Sequence, residues 1–90
     1  MIYKNLVNNN INDIDSEAEK IYYTLLQNIA NHTIRYRKMN NITNKDLADS
    51  LGITTSLISR IESGNKNISI KTIAKLLAKT NSEIIIKEKR

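Results

Sequence analysis

The sequence has no cysteine, proline, phenylalanine or tryptophan, and only two glycines among its 90 residues. Without cysteine there is neither a disulfide framework nor a thiolate metal site, which fits a reducing compartment. No apolar run is long enough to span a bilayer, and the opening "MIYKNLVNNN" lacks the basic segment and apolar stretch of a signal peptide. The expected setting is therefore cytoplasmic, with no membrane contact. His32 is the sole histidine, so no metal centre is expected. There is no glycine-rich phosphate loop, no nucleophile beside a base, and no carboxylate pair outside helix caps. Neither an enzyme nor a cofactor is expected.

What is present is one modest core and an uneven charge. Ninety residues with 40% hydrophobic content suit a single small domain. The net charge of +5 is split along the chain: residues 1–33 carry −2 and residues 34–90 carry +7. A strongly basic segment suits a polyanion, nucleic acid above all.

Helix signals divide the chain. Residues 1–15, with three consecutive asparagines, have no clean period and read as an arm with a short element around 2–7. Ser16 and Glu19 have the spacing of a capping box. Ile21, Leu25, Ile29 and Tyr36 follow at helical steps, predicting a long first helix to about Met39. Tyr22, Tyr23 and Tyr36 on this helix read as core or dimer contacts. Thr43 with Asp46 repeats the capping spacing and opens a second helix over 44–50, burying Leu47, Ala48 and Leu51. Thr54 caps a third helix over 55–62, with Leu57 or Ile58 and Ile61 inside. Ser69 caps a fourth, with Ile70, Ile73, Leu76 and Leu77 as its apolar face. The closing "SEIIIKEK" is β-branched and reads as a strand. The expected organisation is an arm (1–15), a helical domain (16–82) and a C-terminal strand (83–90).

One of the two glycines, Gly52, falls between the second and third helices, where glycine adopts a left-handed turn without steric cost. Two short helices joined by such a turn form a helix-turn-helix unit. Thr54, Thr55, Ser56, Ser59 and Arg60 are left exposed at the start of the second of these helices. Small hydroxyl side chains and one planar donor suit a major groove, where the helix end must approach phosphates and base edges.

The stretch "ITNKDLADSLGITTSLISRIESGNKNISIKTIAKLL" carries these features at the spacing of the Cro/repressor-type (XRE) helix-turn-helix domain, and residues 29–80 resemble it. The resemblance implies a compact all-α, lambda-repressor-like domain of four or five helices that binds a double-stranded DNA operator as a homodimer. By position, Thr55, Ser56 and Arg60 match base-reading sites, whereas Thr54 and the loop Asn65, Lys66 and Asn67 match phosphate contacts. Asn44 and Lys45 at the start of the preceding helix complete the candidate DNA contacts, with Asn44 standing where the family commonly has glutamine. Arg37 and Glu62 match a structural ion pair.

Three functions compete: a free-standing phage-type repressor, an antitoxin that also binds a small toxin, and a protein-interaction module without DNA binding. The polar recognition helix and basic loop disfavour the last. A trailing strand with Ile84, Ile85 and Ile86, lacking a partner strand in its own domain, predicts pairing with a second chain. Such a strand resembles antitoxins of the HigA type, whose partners are RelE-like ribonuclease toxins. The expected function is thus an autoregulatory antitoxin, with the phage-type repressor as the alternative.

Overall fold

Helix α1 (Ile2–Asn40) is the longest element; α2 (Asn44–Leu51), α3 (Thr55–Glu62) and α4 (Ile70–Lys79) follow it. The computed structural model describes residues 2–65 and 67–89, with side chains from residue 14 onward. These residues form an all-α architecture in which α1 and α2 pack on α3 and α4 closes against α2.

The short helices begin as their sequences dictate. Thr43, Thr54 and Ser69 are N-caps in extended backbone, and each side chain accepts a hydrogen bond from the amide three residues on. At Thr43 the box is complete, because the Asp46 carboxylate also accepts from the Thr43 amide at 3.0 Å.

All four helices end in one geometry. Asn41, Gly52, Gly64 and Asn81 have left-handed φ angles of 52–71°. In each case the next amide reaches back five residues: Ile42 to Arg37, Ile53 to Ala48, Asn65 to Arg60, and Ser82 to Leu77. This pattern satisfies carbonyls that would otherwise be orphaned at a helix end. With two glycines in the chain, asparagine, the residue next most tolerant of this conformation, closes α1 and α4.

The core is small. Leu47, Ala48 and Leu51 of α2, Ile58 and Ile61 of α3, and Leu76 of α4 form one buried cluster. Ile29, Tyr36, Ile42, Ile53, Leu57 and Ile68 pack around it. Helix α1 buries Leu26, Ala30 and Thr33, and the Thr33 hydroxyl donates to the Ile29 carbonyl at 2.8 Å. Full burial of a side chain such as Leu47, Ile58 or Leu76 contributes roughly 1.5–3 kcal/mol each. His32 ties α1 to the end of α4: its Nε2 lies 2.9 Å from Thr80 Oγ1, whose own proton is directed to the Leu76 carbonyl.

Arg37, in the last turn of α1, grips Glu62 at the end of α3. Its Nε donates to Oε2 at 2.6 Å and its second terminal nitrogen to Oε1 at 2.8 Å. This is a bidentate fork, and the carboxylate raises the guanidinium pKa further. The two side chains are 25% and 14% exposed, so water screens the pair only partly.

Several sequence expectations are corrected. The C-terminal β-strand is not present: among the described residues there is no strand, and 83–89 have no regular structure. The isoleucine run has strand propensity, but a strand exists only through a ladder, and four helices offer no edge to pair with. Ile84, Ile85 and Ile86 are exposed instead. Ser16 and Glu19 lie inside α1, not at its start. Ile21, Leu25 and Ile70, expected on core-facing stripes, are exposed as well.

Losing a cap or the fork has a measurable cost. Replacing Thr43 with alanine removes one side of the α2 box and should cost ~1 kcal/mol in urea denaturation. The Thr43 amide and hydroxyl hold the Asp46 carboxyl below the ordinary carboxylate range. Its stabilisation is therefore complete above the unfolded-state value and is lost as pH falls through the lower folded value. Wild type and Asp46→Asn should differ in stability at neutral pH and converge below about pH 4. Separately, Glu62→Ala leaves the Arg37 guanidinium with a 3.4 Å contact to the Ile42 carbonyl. Because the pair is partly solvated, the loss should fall near 2 kcal/mol, below the range for fully buried pairs, and be readable as a lowered denaturation midpoint.

Candidate nucleic-acid interface

Helix α3 is two-sided. Ile58 and Ile61 point into the core, Leu57 and Glu62 are half-buried, and Thr55, Ser56, Ser59, Arg60 and the capping Ser63 are exposed. The 3.6-residue repeat places the exposed five on one outward stripe. Nothing on the first turn of this stripe is larger than threonine, so backbone amides at the helix start can come close to a bound anion.

The cap and the stripe share groups. Thr54 Oγ1 accepts from the Leu57 amide at 3.1 Å, which leaves its proton for an outside acceptor such as a phosphate oxygen. Asn44, on the first turn of α2, donates from Nδ2 to Ser59 Oγ at 3.0 Å. The side chain, one methylene shorter than glutamine, thus reaches across to α3. Its Oδ1 is buried without a hydrogen-bond partner. Lys45 lies beside it on α2 and pairs with Asp49 at 2.8 Å, which raises the ammonium pKa. Both side chains of that pair are largely solvated, so it adds little to stability and a phosphate can compete for the lysine.

The loop after α3 is braced by α1. Asn67 is exposed, has a left-handed φ of 67°, and its amide donates to the Tyr22 hydroxyl at 3.3 Å. Gly64 faces Gln27: a Cβ at that glycine would lie 3.2 Å from Gln27 Nε2, at a φ of 71° that a side chain resists. Asn65 is exposed on the same loop, and Lys66 lies outside the described residues. Thr55, Ser56, Ser59 and Arg60 therefore share one helix face, Thr54 caps its start, and Asn44 joins it by direct contact. Ile84, Ile85 and Ile86 belong to the C-terminal segment and are not part of it.

Sequence reasoning missed Ser63, which extends the stripe, and the bracing roles of Tyr22 and Gln27. The helical repeat from Thr55 contained the signal for Ser63. No local signal links Tyr22 to a residue 45 positions away.

Among the described residues no helix is long and apolar enough to cross a membrane, and no group of three or more His, Cys, Asp or Glu residues is arranged to hold a metal.

The fold is shared with known proteins. The helix-turn-helix family model HTH_3 matches residues 34–85, more than half of the chain. One chain of "Structure of HipA-HipB-O2-O3 complex" is 25% identical, with a TM-score of 0.62, over 72% of this chain and 92% of that one. A chain described as "MDT Protein" gives the same identity, coverage and TM-score. Among curated proteins none matches in sequence. With its turn at Gly52, its outward polar stripe on α3 and this family match, the chain belongs to the XRE-type helix-turn-helix family of DNA-binding regulators.

Proposed function

We propose that the chain is an autoregulatory antitoxin: a homodimer that binds a two-fold related operator through α3 and also neutralises a protein toxin. The observation that carries the DNA half is the stripe of Thr55, Ser56, Ser59 and Arg60, held outward by the Arg37–Glu62 fork. In this reading Arg60 reads a base edge, Thr55 and Ser56 approach neighbouring edges, and Thr54, Lys45 and the loop 65–67 grip phosphates. The +7 charge of residues 34–90 supplies the sequence-independent attraction. Support for the toxin half is the likeness to a chain from an assembly of HipA and HipB. That assembly names HipA, and no comparison supports the RelE-like class.

Selection from a random operator library tests the DNA half. It should enrich an inverted repeat whose half-sites lie about one DNA turn, ~34 Å, apart. Arg60→Ala should then cost ~1–3 kcal/mol and relax preference at one position, whereas Lys66→Ala should weaken all sequences alike and lower the salt slope by about one. A library that enriches nothing would sink the regulator reading. For the toxin half, the product of the adjacent reading frame should arrest growth, and co-expression of this chain should relieve it. A neighbour without such an effect favours the free-standing repressor.

A further inference from the structure

Helix α1 has two halves with different surroundings. Among its described side chains the buried ones begin at Leu26, and from Ile14 to Leu25 every side chain is exposed except the half-buried Tyr22. Yet this outlying half is not polar all round. Ile14, Ala18, Ile21 and Leu25 follow one another at steps of four, three and four, and the three large ones are 71%, 51% and 49% exposed. The same spacing continues upstream in the sequence at Ile11 and Val7. An alternating four–three stripe is narrower than the face a helix lays on a globular core, and it is the seam of a two-stranded coiled coil.

The seam does not stop at the body of the protein. Leu25, its last member, also lines an apolar groove of about 420 Å³ with Ile29, Ile70, Ile73, Ile84 and Ile86. A helix laid along the seam would run on into this groove.

Charge selects the occupant. Asp15 and Glu17 flank the seam, one on each side, and Glu19 lies beyond them; Lys20 is the only cation between residues 14 and 20. A second copy fits poorly. Parallel pairing in register sets each acidic segment beside itself, and antiparallel pairing with Ile14 against Ala18 sets residues 13–19 against 13–19. The antiparallel pairing sets Asp15 against Asp15 and Glu17 against Glu17, and the parallel one sets Glu17 beside Tyr22, so a second copy brings no cation to either flanking acid.

We infer that the outlying half of α1 is a docking helix for a cationic amphipathic helix of another protein, with lysine or arginine flanking an apolar seam. This gives the protein partner proposed above a chemistry, and it rests on that reading only for the partner's identity. The surface is separate from α3, so DNA binding does not depend on it.

The test uses the full chain and three labelled synthetic peptides of about four heptads. One has Ile and Leu in the seam with Lys on both flanks, one has the same seam with Glu flanks, and one is a scramble of the Lys peptide. Anisotropy titrations should show the Lys peptide binding at least about tenfold tighter than either control. Ile14→Asp combined with Ile21→Asp should remove that advantage, whereas Asp15→Lys combined with Glu17→Lys should transfer it to the Glu peptide. These positions are exposed, and operator sequence preference, measured in parallel, should stay that of wild type in both variants. Equal binding of the scrambled peptide, or indifference to the seam variants, would overturn the inference while leaving DNA recognition intact. Self-association in sedimentation equilibrium that Ile21→Asp abolishes would place a second copy on the seam and overturn it equally.

Discussion

The bidentate contact between Arg37 and Glu62 sets the angle between α1 and α3, on which the outward polar face of α3 depends. An acid in the last turn of a helix opposes the helix dipole, while a cation there is favoured. Glu62 stands at the unfavourable end of α3, and Arg37 at the favourable end of α1. The position of Glu62 makes no sense alone. Paired, the guanidinium answers the negative end of both helices and ties α3 to an element 25 residues earlier in the chain. The planar fork allows one relative orientation, so α3 cannot roll without losing two charge-assisted bonds. Ile58 and Ile61 then sit in the core, and the hydroxyl stripe faces out.

The short helices were readable because their punctuation is local. A threonine or serine cap with an apolar residue four positions on, and a glycine at the left-handed stop, act within one or two turns, and α2, α3 and α4 begin at the residues so marked. The same locality misled at Ser16. A serine three residues before a glutamate has the capping pattern wherever it occurs, but the helix turns out to continue back to Ile2. The three asparagines upstream are poor helix formers and hid that continuation.

Other features depended on partners that sequence spacing does not name. Leu76 and Ile70 both fall on the apolar face of α4, yet one has no accessible surface and the other is 84% exposed. Helical period shows which residues share a face, not how far the neighbouring helix extends over it. The isoleucine run at 84–86 shows the same gap for strands: propensity resides in the residues, and pairing resides elsewhere. The reach of Asn44 to Ser59 and of Asn67 to Tyr22 also depends on tertiary distances that only the fold supplies.

The length of α1 dominates the outline of the molecule, which measures 57 × 30 × 20 Å. The radius of gyration is 17.2 Å, against ~12 Å for a compact domain of this size. A compact domain of roughly 220 residues would have the same radius. The excess lies along one axis, so the radius of gyration overstates the mass of a single chain more than twofold when it is read on the compact scale. Scattering radii read on that scale would report one elongated chain as a dimer, so the stoichiometry of this protein has to be weighed, by sedimentation equilibrium or light-scattering mass, and not inferred from its radius of gyration.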